Sequence, residues 1–121
     1  MADRNYFING ITELLILSIL NQKDSYVYEI KKNIESYSDN LLTISQNTIY
    51  AATYKLLNEK KISEYSKLVG KRRIRIYYHL ESSGKDALEE IEKNYLQTIN
   101  GVNSILENLH TNSKEEDHSN E

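Results

Sequence analysis

Apolar residues recur along this chain at the spacings of several helices and one hairpin. From Gly10 to Asn21 they lie on every side of the first predicted helix, which is the pattern of a helix that is buried all round. A small protein covers such a helix with its own core and with a second subunit. We therefore expect Ile11 and Leu15 at a contact between two chains. Residues 1–9, before this helix, are expected to be loosely ordered.

The next two predicted helices are short and amphipathic. One runs from residue 26 to about 37, with Asp24 or Ser25 as its N-cap. The other begins after the N-cap Ser45 and runs to about Lys60. Its inward side has three residues at helical spacing: Ile49, Thr53 and Leu56. Its outward side keeps mostly polar residues: Gln46, Asn47, Thr48, Ala51, Tyr54 and Lys55.

Two segments of alternating polarity then predict a β-hairpin, residues 62–69 and 73–80, with Gly70 in the turn. One face of the second strand carries two basic residues and a tyrosine: Arg73, Arg75 and Tyr77. The other face carries Ile74, Ile76 and Tyr78. Because successive side chains of a strand point to opposite faces, we expect one solvent-exposed face and one packed face.

A long amphipathic helix is predicted after the hairpin. Ser83 and Asp86 are spaced as a capping box at its start. Its apolar seam steps by three and four residues, close to a heptad repeat: Leu88, Ile91, Tyr95, Ile99, Val102, Leu106 and Leu109. About 26 residues at ~1.5 Å each give a rod of roughly 39 Å. We expect this seam to pair with the same helix of a second chain; the alternative is that it packs on its own domain.

Composition excludes several classes of protein. The 121 residues include no cysteine, so disulfides, thiol nucleophiles and cysteine-based zinc sites are excluded. No apolar run approaches the ~18 residues of a membrane span, so we expect no membrane contact and a cytoplasmic location. Positions 1–80 hold 12 basic and 8 acidic residues, a balance of +4, whereas positions 81–121 hold 3 and 10, a balance of −7. The basic part is the candidate for binding nucleic acid.

Together these elements predict a mainly α fold with a small β-hairpin, a winged helix-turn-helix followed by a long C-terminal dimerisation helix. Residues 1–80 would form the DNA-binding domain and residues 81–110 the dimerisation helix. Residues 111–121 are acidic and have no apolar pattern, so we expect a disordered tail there.

Three motifs, in this order, resemble the PadR family of bacterial transcriptional regulators. Residues 26–30, YVYEI, stand where the family has HGYEL, and residues 47–53, NTIYAAT, stand where it has GTLYPAL. Residues 70–84 follow its GRPRKYYRLTEKG wing. The chain departs from the family at three places. It has Tyr26-Val27 where the family has His-Gly, and Gln46-Asn47 where the family has Pro-Gly. It has Lys60 where the family has a glycine after the third helix. We expect Lys60 in a left-handed conformation, at a cost of about 1 kcal/mol.

The resemblance implies a homodimeric repressor that binds a pseudo-palindromic operator in double-stranded DNA. Contacts to phosphates or to the minor groove would come from the wing: Lys71, Arg72, Arg73 and Arg75. Base contacts would come from the third helix: Gln46, Asn47, Thr48, Tyr50, Tyr54 and Lys55. Asn and Gln side chains suit adenine edges, and Arg and Lys suit phosphates. The alternatives are an ordinary solvated wing, a helix-start role for Asn47 and Thr48, and tyrosines that pack against the wing.

With a single C-terminal helix, the chain is similar to the small, LmrR-like subgroup of the family. In that subgroup planar drugs bind in a flat pore at the dimer centre, against a tryptophan. The resemblance implies a small aromatic or phenolic effector near Ile99, which replaces that tryptophan, with four other residues around it: Glu13, Leu14, Tyr95 and Asn103. The missing tryptophan and the bulk of Tyr95 argue against drug sensing itself.

Two other functions stay open on the sequence. A winged helix also serves as a protein-protein interaction module, with the ten tyrosines as its contact surface. A metal-dependent enzyme would use His118 with the acidic residues at 115–117. We expect neither catalytic residues, nor a cofactor, nor a metal, because the three histidines are far apart in sequence and no Gly-rich phosphate loop or nucleophile elbow is present.

Overall fold

A computed structural model describes residues 7–119. Its elements are α1 (Ile8–Gln22), α2 (Val27–Tyr37), α3 (Gln46–Asn58), β1 (Ile62–Val69), β2 (Arg73–Leu80) and α4 (Ser82–Ser119). The predicted fold, mainly α with one hairpin, is confirmed. The residues form two compact units that divide between Glu89 and Glu90. Residues 1–6, part of the segment expected to be loosely ordered, lie outside the described residues, and α1 begins two residues earlier than predicted.

The core of the first unit is built on α1, where Ile16 and Leu17 are fully buried and Leu14 and Leu20 nearly so. Helices α2 and α3 contribute Ile30, Ile34, Ile49 and Leu56, and the base of the hairpin contributes Ile62, Tyr78 and Leu80. The chain's own core thus covers most of α1. Ile11 and Leu15, expected at a contact between chains, are half-buried.

The predicted N-cap of α2 is wrong. Tyr26 occupies the cap position and makes no side-chain cap bond. Ser25 instead forms a short bridge with Tyr78 of β2, in which each backbone N–H donates to the other residue's carbonyl at 3.3 and 2.9 Å. The Asp24 side chain accepts hydrogen bonds elsewhere, as described below. Asp24 and Ser25, which the sequence predicted as possible N-caps of α2, therefore bind to the hairpin instead.

The turn after α3 ends in a left-handed residue, as predicted. Lys60 has φ +61°, and Lys61 donates its N–H to the carbonyl of Leu56 at 3.0 Å, the reach-back bond of a Schellman motif. This turn aims the chain from α3 into β1.

The hairpin has the predicted strands, in the register Ile62↔Leu80 to Val69↔Arg73. The expected division into one wet and one packed face is wrong for its outer half. Ile74 and Ile76 are exposed, whereas Arg75 and Tyr77 on the supposedly wet face are half-buried. The helices reach only the base of the hairpin, and the α1–α2 connection covers part of its other face.

Helix α4 differs from the prediction at both ends. It begins at Ser82, and the Ser83 hydroxyl donates to the Lys60 carbonyl at 2.8 Å, so Ser83 does not form the predicted capping box. The helix continues to Ser119, nine residues beyond its expected end, through the segment expected to be disordered. That segment contains no proline or glycine, the residues least favourable to a helix, and it includes one Lys and three Glu.

Candidate nucleic-acid interface

Helix α3 presents a polar face because its other side is anchored in the core. Ile49, Thr53 and Leu56 are fully buried, as predicted. The predicted cap is confirmed: the Ser45 hydroxyl oxygen accepts the N–H of Thr48 at 3.1 Å. The exposed face carries five of the six residues predicted to contact bases: Gln46, Asn47, Tyr50, Tyr54 and Lys55.

Two of the predicted base contacts already have partners within the chain. Thr48 is half-buried, and its hydroxyl lies 2.9 Å from the Ser45 hydroxyl, so it takes part in the cap. Lys55 forms an ion pair with Glu13 of α1 at 3.2 Å, and this hydrogen bond raises the pKa of Lys55 above its usual value. Glu13, which was predicted to lie near an effector, is thus in contact with α3, the helix predicted to contact bases.

Basic residues cluster at the tip of the hairpin. Gly70 has φ +67°, the left-handed region that glycine enters at little cost, and it is followed by the exposed residues Lys71, Arg72 and Arg73. Positions 67–75 contain five basic residues and no acidic one. This tip has the charge that a polyanion such as a DNA backbone requires.

Arg75, predicted to contact phosphate, is packed against an aromatic cluster. Its guanidinium lies 4.3 Å from the centre of the Tyr26 ring, and Tyr26 meets Tyr77 edge to face at 5.4 Å. Tyr65 stacks on Tyr77 at 5.7 Å. A guanidinium stacked on a ring keeps its edge N–H groups available. Sequence reasoning missed this cluster, although the alternation of β2 had placed Arg75 and Tyr77 on one face.

Asp24 joins the same face of the hairpin to the start of α2. Its carboxylate accepts the Tyr65 hydroxyl at 2.8 Å and lies 2.8 Å from Nδ1 of His79. Burial alone would raise the pKa of Asp24, but the hydrogen bonds with His79 and Tyr65 outweigh it, and the pKa is lowered. The hairpin is thereby held at its base by Ser25 and along one face by Asp24 and Tyr26.

On the packed face of the hairpin, Tyr78 connects β2 with α3. Burial raises the pKa of its hydroxyl, and a hydrogen bond with Thr53 partly opposes that shift. The Thr53 hydroxyl also donates to the Tyr50 carbonyl at 2.9 Å. The face of β2 that carries Tyr78, Ile76 and Ile74 is therefore the face on the side of α3.

The predicted dimer seam is exposed over most of α4. Leu88 is buried within the first unit and Ile91 is half-buried, whereas the rest of the seam is exposed: Tyr95, Ile99, Val102, Leu106 and Leu109. The five predicted effector residues divide between the units. Glu13 and the buried Leu14 belong to the first, and Tyr95, Ile99 and Asn103 belong to the second.

A surface pocket lies between α1 and α2, away from the candidate interface. Its volume is about 410 Å³, and it is lined by Ser18, Ile19, Gln22, Lys23, Asn33 and Tyr37. Within the described residues, no three His, Cys, Asp or Glu side chains are grouped so as to hold a metal ion. None of the described helices is long and apolar enough to cross a membrane.

Comparison with known proteins gives consistent matches. The sequence model of the transcriptional regulator PadR-like family matches residues 16–90. An uncharacterized protein of Lysinibacillus sphaericus is 30% identical over 106 residues, which are 88% of this chain and 97% of that protein.

Several solved structures are also similar to this chain. A transcriptional regulator from Clostridium thermocellum is 30% identical with a TM-score of 0.77, covering 83% of this chain and 97% of that one. A PadR-like transcriptional regulator from Bacillus cereus is 26% identical with a TM-score of 0.72, covering 84% and 97%. Bacillus subtilis PadR, solved in complex with operator DNA, is 22% identical with a TM-score of 0.61, covering 66% and 46%; this last likeness concerns the fold alone.

Proposed function

We propose, since the chain belongs to the PadR-like family of transcriptional regulators, that it acts as a homodimeric, sequence-specific repressor. The family consists of transcriptional regulators, not enzymes. Two α3 helices would enter successive major grooves of a pseudo-palindromic operator, about one helical turn apart. The two wings would hold the flanking phosphates.

One observation carries this proposal: a capped helix with an exposed polar face lies in the same compact unit as a hairpin tip with five basic residues. Base edges are read by polar side chains, and phosphates by cations. The B. subtilis relative solved with operator DNA supports the same use of the fold.

Each group of residues has a separate role in the proposal. Gln46 and Asn47, at the exposed start of α3, would bond adenine edges. Tyr50, Tyr54 and Thr48 would contact bases or sugars beside them. Lys71, Arg72 and Arg73 would neutralise phosphates. Lys55 would contact bases, and Arg75 would contact phosphates. Each would use the N–H groups that its contact with Glu13 or with the Tyr26 ring leaves available.

DNA binding is tested by selecting duplexes from a random pool with the full chain, then measuring their affinity by fluorescence anisotropy at two salt concentrations. Replacing Lys71, Arg72 and Arg73 with Gln should weaken binding to all DNA. It should also reduce the salt slope by about 1 for each phosphate that is no longer neutralised. The matched control is Lys85→Gln, at an exposed lysine of the same unit, which should leave both affinity and slope unchanged.

Asn47→Ala separates sequence reading from phosphate binding. It should weaken binding to the selected duplex by about 1–3 kcal/mol, the contribution of a bidentate pair between a side chain and a base, and leave the salt slope unchanged. If no duplex is enriched and binding is weak on all DNA, the alternative of a winged-helix protein interaction module takes the place of this proposal.

The homodimer is proposed from the exposed seam of α4. Ile99 and Val102 are 38% and 46% exposed in the single chain, and an apolar stripe at heptad spacing favours pairing of helices. Sedimentation equilibrium should give a dimer for the wild type and for Gln97→Glu. Ile99→Glu with Val102→Glu should give a monomer. A monomeric wild type would favour the alternative that the seam packs on its own domain.

Effector control is the remaining part of the proposal. The ion pair between Glu13 and Lys55 gives a candidate effector residue direct contact with a candidate DNA-reading residue. A small aromatic or phenolic compound bound near Glu13, Leu14, Tyr95, Ile99 and Asn103 would change the spacing of the two reading helices. The test is a screen of such compounds for release of the selected duplex, and indifference to all of them would remove effector control.

A further inference from the structure

The outer half of the hairpin carries an exposed apolar pair that phosphate binding leaves unexplained. Leu68 and Ile74 face each other across the two strands and are 65% and 68% exposed. Ile76, 40% exposed, continues the stripe toward the base of the hairpin. An ordinary solvated wing has no use for two large aliphatic side chains side by side at its tip, since together they expose apolar surface to water.

The charges around this pair restrict what can cover it. Lys67 precedes Leu68, and Lys71 and Arg72 lie in the turn. Arg73 and Arg75 stand on either side of Ile74, and no carboxylate lies between positions 67 and 75. A second copy of this tip would bring the same five positive charges into contact with them. A polyanion that offers a narrow apolar-walled cleft satisfies both the charges and the apolar pair.

The direction of the pair agrees with a duplex lying on α3. Leu68 and Ile74 share their face of the hairpin with Tyr78, because alternate residues of a strand lie on one side. The same face is packed against the helices at the base of the hairpin, where Tyr78 and Leu80 are buried and α3 contacts β1. The apolar pair is therefore on the side of the helix proposed to read the major groove, and the next groove along the duplex is a minor groove.

On the basis of the proposed function, we propose that Leu68 and Ile74 form a wedge that enters the minor groove beside each half-site and opens a base step there. Aliphatic side chains inserted between base pairs unstack them and kink the duplex by about 20–90°. Lys71 and Arg72 of the turn would hold the phosphates of the groove walls. The ligand class is thus a bent duplex with pyrimidine–purine steps, such as TA, flanking the half-sites, because these steps kink and unstack more easily than others.

The wedge is tested with Leu68→Thr and Ile74→Thr together, since threonine has the β-branched shape that strands favour and adds no charge. The matched control is Leu41→Thr, at a leucine that is also exposed but lies between α2 and α3, away from the hairpin. The probe is the duplex selected by the wild-type chain, made with flanks that contain TA steps and with stiff A-tract flanks. Donor and acceptor dyes at its two ends report bending by energy transfer.

With the wild type and with Leu41→Thr, binding should raise energy transfer, and the duplex with TA-step flanks should bind about tenfold more tightly than the one with A-tract flanks. The double threonine variant should still bind with an unchanged salt slope, but should lose both the bend and the preference between flanks. Binding by the double variant with wild-type bending and flank preference would overturn the wedge and leave the proposed function standing.

Two further outcomes separate this inference from the proposed function. If the wild-type chain selects no duplex, the proposed function fails, and the wedge fails with it. If the double variant changes the oligomeric state of the free protein in sedimentation equilibrium, the pair is a contact between copies of the chain, and the wedge is overturned.

Discussion

Gly84, near the start of α4, tests the packing of this fold most directly. A Cβ atom added there would lie 2.1 Å from the carbonyl oxygen of Lys61 and 2.6 Å from Cδ1 of Leu80. Helix propensity alone would make Gly84→Ala stabilising by about 0.8–1 kcal/mol. The structure predicts the opposite sign, because the nearest atom belongs to the backbone and cannot rotate away.

The size of this destabilisation depends on which groups must move to make room for the added Cβ atom. Forcing extra volume into a packed contact costs about 1–3 kcal/mol. Moving α4 away would also stretch two bonds to the turn after α3: the Glu81 N–H donates to the Lys61 carbonyl at 3.0 Å, and the Ser83 hydroxyl donates to the Lys60 carbonyl at 2.8 Å. Each bond contributes about 1 kcal/mol. After subtraction of the propensity gain, the expected net destabilisation is roughly 2–4 kcal/mol.

Urea unfolding followed by far-UV circular dichroism, at one protein concentration, measures this change. With a slope of about 1–2 kcal/mol per M, the midpoint should fall by roughly 1–4 M. The control is Gly10→Ala in α1, where the added Cβ meets nothing within 4 Å and a gain of about 0.5–1 kcal/mol is expected. Refutation would be a Gly84→Ala protein as stable as the wild type, with an unchanged slope.

Three further predictions concern single contacts. Ser45→Ala removes the cap of α3 and should lower the free energy of unfolding by about 1 kcal/mol, again measured in urea. Lys60→Gly removes the strain of a left-handed residue with φ +61° and should raise the free energy of unfolding by about 0.5–1 kcal/mol. A decrease would show that the Lys60 side chain stabilises the turn. The lowered pKa of Asp24 means that its hydrogen bonds stabilise the fold above a pH of about 4, and that this stabilisation disappears as the pH falls through the folded pKa. Asp24→Asn should therefore be less stable than the wild type at neutral pH, and the difference in free energy of unfolding should become smaller as the pH is lowered. A difference that stays constant with pH would contradict the role of the bonds to His79 and Tyr65.

Much of the architecture was predictable because it depends on local period and turn chemistry. Ile49, Thr53 and Leu56 recur at helical spacing, and all three are fully buried. Ser45 is a cap because its hydroxyl lies within reach of its own helix. The left-handed Lys60 followed from a position where the resembling family has glycine. These features involve residues a few positions apart, and the chain by itself brings such residues together.

The predictions that failed concern residues far apart in sequence. Asp24 and Ser25 had the spacing of caps, yet the hairpin some 50 residues later takes both as partners. Arg75 lies on the face of β2 that was expected to be solvent-exposed, yet it is half-buried on the Tyr26 ring. Ile74 had the pattern of a packed strand residue, yet no helix reaches it and it is exposed. The alternation of residues along a strand predicts which side chains share a face. It does not predict which other elements that face contacts.

The amino-acid order was sufficient for the kind, number and succession of elements, and for the basic tip of the hairpin, because periodicity, caps, turns and charge are local properties. The pairing of Lys55 with Glu13, the fixing of the hairpin by Asp24 and Tyr26, the tight seat of Gly84 against Lys61 and the exposure of Leu68 with Ile74 were decided only by the tertiary structure. Each depends on which surfaces meet once the elements pack, and contacts between distant residues have no counterpart in the spacing along the chain.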